Sequence, residues 1–211
     1  NLQVQIEGAQ AALQRIWSLM DLDMERCLRT FREEAGFMRI GEILDPCHQK
    51  GIISDLEEGL ITEDEFITEI LKECPEGTSA DTIRRSFCSL LHSVAPDKVA
   101  FINELKQNYD LYLLSNNNPI TMRYTKDEFA RVGLPFETTF KDIFISCDMK
   151  MLKPSAEIYR EVIRRTGLQA EEILFVDDSM SNIEAAEAQG IKGLYYDLKD
   201  SLRDTISAIL D

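Results

Sequence analysis

The sequence predicts an α/β fold: a Rossmann-like parallel sheet core with an inserted α-helical cap. In the C-terminal half, short apolar segments alternate with amphipathic ones, a pattern typical of a parallel sheet covered by helices on both faces. From about residue 23 to residue 107 the pattern is instead helix after helix, which indicates a helical block set into the α/β core. The predicted domains are therefore a core of residues 1–22 and 108–211 and a cap of residues 23–107.

Apolar runs and capping signals place the individual elements. The predicted core strands are Leu111–Leu114, Ile143–Ser146, Ile173–Val176 and Gly193–Tyr196. The predicted core helices are Thr121–Val132, Pro154–Arg165 with Gly167 as its stop, a stretch after Ser181, and Ser201–Leu210. The predicted cap helices are Met24–Glu34, Thr62–Leu71, Ala80–Leu91 and Asp97–Gln107. Thr62 and Glu65 have the spacing of a capping box.

Composition and charge restrict the class of partner. The 211 residues carry a net charge of −15, from 23 basic and 38 acidic side chains, which argues against nucleic acid or an anionic membrane surface. No apolar run approaches the roughly 20 residues that span a bilayer. The 5 cysteines form no Cys-x-x-Cys pair, a usage typical of reduced intracellular thiols, so a cytoplasmic protein is expected. The oligomeric state stays open.

Two adjacent carboxylates, Asp177 and Asp178, follow the apolar run Ile173–Val176. Such a pair at the carboxyl end of a buried strand is costly unless a cation lies beside it. Open α/β sheets bind their ligands at that end, and Mg²⁺ with a phosphate partner suits oxygen ligands. The alternative is a strand end with two solvated acids that cap the next helix.

Two further segments place polar groups after predicted strands. Ser115 and Asn116 end the run that begins at Leu111, and a hydroxyl, an amide and neighbouring backbone N–H groups can hold phosphoryl oxygens. Lys153 stands just before a predicted helix, where it could neutralise phosphate as a point charge. Taken singly, these residues are better explained by a turn or helix cap and a solvated lysine. Together they would open on one edge of the sheet.

This order of hydroxyl, lysine and acid pair resembles motifs II, III and IV of the haloacid dehalogenase superfamily, in the branch with a small helical cap. The segments Asp21–Cys27, Leu44–Gly51 and Leu56–Gly59 resemble the cap-entry region of bacterial sugar-phosphatase-like members, including those similar to α-glucose-1-phosphate phosphatase. The resemblance covers the chain from about Asp21 to its end.

The resemblance implies a Mg²⁺-dependent hydrolase acting through an aspartyl-phosphate on a small phosphate monoester, with sugar phosphates as one expected class. By the resemblance, Ser115 and Asn116 hold the phosphoryl group, and Lys153 binds it and stabilises its charge during catalysis. Asp177 is then the Mg²⁺ ligand, and Asp178 orients the metal's waters or Lys153. The expected partner is a small phosphorylated metabolite.

The superfamily's nucleophile, an Asp at the end of the first and central strand, is not visible. Counting back about seven residues from Asp21 reaches Gln14, which can neither attack phosphorus usefully nor act as an anionic ligand. The segment Leu2–Ile6 alternates between apolar and polar residues, and the apolar residues from Ala9 to Met20 have helical spacing. These patterns do not predict an apolar central strand.

Three hypotheses address the missing nucleophile. Asp21, with Asp23, could be a displaced nucleophile pair. The chain could instead be a degenerate member that binds ligand without turnover. In the third hypothesis, the N-terminal segment does not carry the native sequence. Cys47 and Cys147 are weaker candidates, because no activating His pair accompanies them.

A haloacid dehalogenase proper is a further alternative. It also needs the Asp nucleophile but requires no metal. The Asp177–Asp178 pair favours a phosphatase, because a site without metal has less need of two adjacent acids.

Overall fold

The computed structural model describes residues 11–14, 19–44 and 49–210. Its strands in chain order are β1 (Ala11–Gln14), β2 (Met20–Leu22), β3 (Leu91–Val94), β4 (Asp110–Ser115), β5 (Asp142–Ile145), β6 (Ile173–Asp177) and β7 (Lys192–Tyr195). A five-stranded parallel sheet has the order β5-β4-β1-β6-β7, and β2 and β3 form a separate antiparallel pair. The predicted α/β class with a parallel sheet is confirmed.

Helices occupy most of the remaining described chain. Those before β3 are α1 (Met24–Glu33), α2 (Ile40–Ile43), α3 (Ile52–Glu57), α4 (Glu63–Leu71) and α5 (Ala80–Cys88). Those after β3 are α6 (Pro96–Leu105), α7 (Pro119–Arg131), α8 (Phe136–Thr139), α9 (Ser146–Met149), α10 (Ala156–Thr166), α11 (Met180–Glu187) and α12 (Leu202–Leu210). In the part of the chain described here, no helix combines the length and apolarity needed to cross a membrane.

Strand β1 lies at the centre of the sheet. It pairs in parallel with β4 on one side and β6 on the other, so that Gln14 is level with Leu113 and Val176. The helix indicated by the spacing of apolar residues in this region is therefore wrong for Ala11–Gln14. Pairing on both sides satisfies the backbone groups of the strand, and this tertiary context outweighs a weak local pattern. The segment Leu2–Ile6 lies outside the described residues.

Both faces of the sheet are covered. In β4, Tyr112 and Leu114 belong to one buried apolar cluster, whereas Leu111 and Leu113 belong to the other. This alternation is the two-residue period of a strand with helices on each side. The first cluster is completed by α10 and α11, and the second by α6, α7 and α12. The layers position the ends of the strands at one edge of a packed core.

The helical block of residues 23–90, called the cap below, has its own aromatic core. The ring of Phe87 lies 6.0 Å from that of Phe31 and 5.7 Å from that of Phe66, centroid to centroid. The backbone N–H of Asp23 donates to the carbonyl oxygen of Leu90 at 2.8 Å. The chain therefore enters and leaves the cap at one place, beside the β2–β3 pair.

The division into a core of residues 1–22 and 108–211 and a cap of residues 23–107 stays a prediction, and the packing of α6 favours an earlier end of the cap. Helix α6 lies within the predicted cap range, yet it contacts α12 of the core. The Arg203 guanidinium lies 4.7 Å from the Phe101 ring centroid and 2.7 Å from a carboxylate oxygen of Glu104.

The helix predicted to begin at Pro154 begins later. Ser155 is its N-cap and Ala156 its first residue, because Lys153 and Pro154 lie in a turn. The backbone N–H of Ser155 closes this turn on the carbonyl oxygen of Leu152 at 2.8 Å. The predicted stop is confirmed, since Gly167 ends the helix at φ 70° in the left-handed region.

The capping box at the start of α4 gives a stability prediction. The Thr62 hydroxyl accepts from the Glu65 N–H, and a Glu65 carboxylate oxygen accepts from the Thr62 N–H at 2.8 Å. We expect Thr62→Ala to lower the free energy of unfolding by about 1 kcal/mol, since it removes the cap. Glu65→Gln, which can still complete the box, should lose less. Urea denaturation measures both, and equal losses would contradict the assignment.

Candidate active site

The ends of β4 and β6 bring two predicted site residues to one edge of the sheet. Ser115 is the last residue of β4 and Asp177 the last of β6, and both are fully buried. Strand β1 runs between β4 and β6, and Gln14 is level with Val176. The carboxyl end of β1 therefore lies between the ends of β4 and β6. The structure thus flanks the end of β1 with a hydroxyl and a carboxylate.

Lys153 and Asp177 form an ion pair that is closed to solvent. Lys153 Nζ lies 2.7 Å from Asp177 Oδ2, and both side chains are 0% exposed. Asp177 Oδ1 accepts from the Ser179 N–H at 2.8 Å and from Asn182 Nδ2 at 3.0 Å. Lys153 Nζ also lies 3.4 Å from the carbonyl oxygen of Leu114. Buried charges persist when they are paired and hydrogen-bonded in this way.

The Asn116 side chain holds the backbone of Lys153. Its Nδ2 donates to the Lys153 carbonyl oxygen at 3.0 Å, and its Oδ1 accepts from the Lys153 N–H at 2.9 Å. Asn116 is thereby a positioning residue for Lys153 in this structure. The nearby Ser115 hydroxyl lies 3.3 Å from the Asn116 carbonyl oxygen.

Two more asparagines support this loop, and the sequence reasoning missed them. Asn118 is the N-cap of α7, and its Oδ1 accepts from the N–H groups of Ile120 and Thr121, each at 3.1 Å. Asn117 Oδ1 accepts from the Asn118 N–H at 2.8 Å and from the Thr121 hydroxyl. An Asn followed by Pro119 at the first helical position is a helix-start signal that could have found this cap.

Asn182 was also missed. It supports Asp177 through its Nδ2, and its Oδ1 is buried with no hydrogen-bond partner among the described residues. Its carbonyl oxygen accepts from the hydroxyl of Tyr159 at 2.9 Å. Local sequence gives no pattern for these contacts beyond the short spacing from Asp177.

The donor set fits a hard cation. Asp178 is partly exposed beside the buried Asp177. Mg²⁺ typically uses one or two protein carboxylates, keeps several waters and binds substrate phosphate oxygens. The buried Asn182 Oδ1 could accept a hydrogen bond from a metal-bound water. The described residues contain no group of three or more His, Cys, Asp or Glu side chains suited to a metal, so waters and phosphate would complete the set.

Asp21 lies in β2 and contacts a different group. A carboxylate oxygen of Asp21 is 3.4 Å from Lys98 Nζ, and the side chain is 61% exposed. It lines a cavity of about 480 Å³ together with Ser93, Val94, Ala95, Pro96, Val99, Arg131 and Val132. Neither Lys153 nor Asp177 lines that cavity. These contacts disfavour Asp21 as a displaced nucleophile.

Cys147 is not suited to be the nucleophile either. Burial raises the pKa of the Cys147 thiol to about 12. A thiol with this pKa is protonated at neutral pH, whereas the thiolate is the nucleophile. Cys47, and His48 beside it, lie outside the described residues.

The Rossmann-like sheet, the helical block ahead of it and the buried Lys153–Asp177 pair define an α/β protein with a charged site at the carboxyl edge of its sheet. The chain belongs to the haloacid dehalogenase-like hydrolase family, whose sequence model matches residues 48–190.

Individual proteins resemble the chain over nearly its full length. The D-ribitol-5-phosphate phosphatase of Bacteroides thetaiotaomicron is 28% identical over 194 residues, which cover 92% of this chain and 94% of that enzyme. A HAD family enzyme from the same species, solved as an aspartate-to-alanine mutant in complex with magnesium and inorganic phosphate, is 29% identical with a TM-score of 0.89. That alignment covers 94% of this chain and 99% of the other.

A HAD-like hydrolase structure from Porphyromonas gingivalis is 28% identical, with a TM-score of 0.86 over 96% of this chain and 98% of its own.

Proposed function

We propose that the protein is a Mg²⁺-dependent phosphatase for a small phosphate monoester of the sugar or sugar-alcohol phosphate class. The observation that carries this proposal is the buried Lys153–Asp177 pair, at the same sheet edge as Ser115 and beside the partly exposed Asp178. A related enzyme that acts on D-ribitol-5-phosphate and a related structure that binds magnesium and phosphate support the substrate class and the cofactor.

The contacts suggest one change to the expected roles. Both carboxylate oxygens of Asp177 are engaged, with Lys153, Ser179 and Asn182, and the residue is fully buried, whereas Asp178 is partly exposed. We therefore assign Mg²⁺ to Asp178 and the placement of Lys153 to Asp177. When bound, Mg²⁺ would neutralise charge on the phosphoryl oxygens and fix their orientation.

The other groups of the site have distinct tasks. The Ser115 hydroxyl and the Asn116 N–H donate to the phosphoryl oxygens, since the N–H groups of Asn117 and Asn118 are bonded to Ser146 and to the Asn117 side chain. Lys153 supplies positive charge next to the position that these oxygens occupy. Asn116 keeps the backbone of Lys153 in place and excludes rotation of this segment. Burial of the pair strengthens its field, because the local dielectric constant is low.

Ligand binding without turnover is the second candidate, and β1 is the observation that favours it. The strand ends at Gln14, and residues 15–18 contain neither Asp nor Glu. Loss of a covalent nucleophile costs roughly 10⁶ in turnover in a well-studied hydrolase. If no other carboxylate reaches the end of β1, phosphate and Mg²⁺ binding would remain while hydrolysis is lost.

One assay separates the two candidates. Phosphate release is measured from sugar phosphates, ribitol 5-phosphate and a chromogenic aryl phosphate, with Mg²⁺ and with chelator. Turnover that requires Mg²⁺ supports the phosphatase, and halide release from a 2-haloacid in chelator would support a dehalogenase. If folded protein releases nothing but binds inorganic phosphate with Mg²⁺ in calorimetry, the second candidate stands.

In that case, Gln14→Asp should introduce phosphate release, and Gln14→Asn should not.

A cytoplasmic location is proposed on the state of the thiols. Cys27, Cys74, Cys88 and Cys147 are free, which suits a reducing compartment. The net charge of −15 further supports a small-molecule partner over nucleic acid.

A further inference from the structure

We propose that Ser146 is a positioning residue that couples docking of the cap to the loop of residues 115–118. The importance of this loop for phosphate rests on the function proposed above. Ser146 is fully buried at the start of α9, directly after β5. Its Oγ lies 2.5 Å from the carbonyl oxygen of Glu57 in the cap and accepts from the Asn117 N–H at 2.9 Å. A single hydroxyl thus contacts both the cap and the loop.

The hydroxyl proton has two acceptors within reach. The Glu57 carbonyl oxygen is at 2.5 Å, and the Asn117 carbonyl oxygen is at 3.2 Å. A hydroxyl carries one proton, so it donates to only one of them at a time. With the cap docked, the shorter bond to Glu57 is made. When the cap moves away, the hydroxyl donates to the Asn117 carbonyl oxygen instead. The hydroxyl therefore has two arrangements, and the position of the cap selects between them.

The cap approaches α9 by backbone contact. Gly59 has φ +71°, and a Cβ at this position would lie 2.2 Å from the carbonyl oxygen of Cys147. Any larger residue would both strain the backbone and push the cap from α9. Because Cys147 directly follows Ser146, this close contact fixes the distance across which Ser146 bonds to Glu57. A second attachment joins Glu63 of the cap to Arg123 of α7 at 2.8 Å.

Hydrogen bonds continue from Ser146 to the charged pair. Asn117, which donates to Ser146, directly follows Asn116, and the Asn116 amide makes two bonds to the backbone of Lys153. Lys153 in turn holds Asp177. Docking of the cap thereby stabilises the arrangement in which the loop and Lys153 are fixed. The cap would then complete the site when it closes on a bound substrate.

Reciprocal amide hydrogen exchange on the full chain tests the coupling. Ser146→Ala should raise exchange in residues 52–60 of the cap about tenfold, the factor expected for one net hydrogen bond. Gly59→Ala should raise exchange of the Asn117 N–H, which it does not contact. Coupling between two sites is mutual, so both effects are expected. If each variant changes exchange only on its own side, the proposal is overturned.

Matched controls separate coupling from general damage. Ser89→Ala removes a comparable hydroxyl bond within the cap, where Ser89 Oγ donates to the Ser86 carbonyl oxygen at 2.6 Å. Gly77→Ala has the same left-handed strain, at φ +91°, with nothing within 4 Å of the added Cβ. Neither control should alter exchange of the Asn117 N–H. If either raises it as much as Gly59→Ala does, the effect is nonspecific and the coupling is refuted.

Kinetics add a second readout. Ser146→Ala and Gly59→Ala should each lower kcat about tenfold for a sugar phosphate, and the double variant should lose no more than one of them. If the kcat losses of the two single variants instead multiply in the double variant, the two residues do not act through one mechanism. If the parent protein shows no turnover, that result counts against the phosphatase alone, because the exchange experiment decides the coupling without any activity.

Discussion

Replacement of Lys153 by Met is expected to lower the free energy of unfolding by about 3–5 kcal/mol, the usual cost of removing one partner of a buried ion pair. Lys153 Nζ lies 2.7 Å from Asp177 Oδ2, with both side chains closed to solvent. Nζ also lies 5.4 Å from the centroid of the Phe175 ring. Met keeps most of the side-chain volume, so the loss would come mainly from the unpaired Asp177 carboxylate. Urea denaturation at neutral pH measures it.

Two companion variants test the cause of this loss. Lys153→Met combined with Asp177→Asn removes both charges and should recover most of the lost stability, since no uncompensated charge remains. Lys141→Ala breaks an exposed ion pair with Asp110 and should change stability little. A double variant no more stable than Lys153→Met would mean that packing, rather than the charge, causes the loss.

The second large effect is expected at the neighbouring acid pair. Asp178→Asn should weaken Mg²⁺ binding in the presence of inorganic phosphate by at least about 100-fold, because changes in the outer shell of a metal alone cost 10–100-fold. The free energy of unfolding should stay near that of the parent, because Asp178 is partly exposed. Titration calorimetry with Mg²⁺ and urea denaturation give the two quantities.

Asp177→Asn should behave in the opposite way. It leaves the Lys153 ammonium buried without its counter-charge, so the main effect is lost stability. The comparison decides between the two assignments of the metal ligand. If Asp177→Asn stays stable but loses Mg²⁺ while Asp178→Asn binds it normally, the role inferred from the family resemblance, with Asp177 on the metal, is the right one.

Patterns read over a few residues predicted much of the fold. The capping box of Thr62 and Glu65, the stop at Gly167 and the apolar strand that ends in Asp177 depend on neighbours close in sequence, and each is found in the structure. The same holds for the polar residue at the end of β4, since Ser115 directly follows an apolar run. The chemistry expected at one edge of the sheet follows from these local signals and the parallel topology.

Long-range contacts account for what the sequence did not predict. The strand at Ala11–Gln14 has weak local signals and is stabilised by its pairing with β4 and β6. The Asn116 amide holds a backbone 37 residues away, so its positioning role cannot be read from the segment itself. The contact between Ser146 and Glu57 spans 89 residues. The nucleophile remains unassigned, because neither β1 nor the sequence after it supplies a carboxylate at the strand end.

The meeting of the two ends of the cap has a consequence for how this architecture can change. Because Asp23 and Leu90 are hydrogen-bonded neighbours, the two ends of the inserted block meet. The block therefore connects to the rest of the fold as a short turn would, whatever its own length and content. Lengthening such an insertion adds only a slowly growing loop-closure entropy. One helical block can therefore be exchanged for another at this junction while the strand ends keep their places. Recognition of the organic part of a substrate is then free to diverge separately from the chemistry at the phosphate.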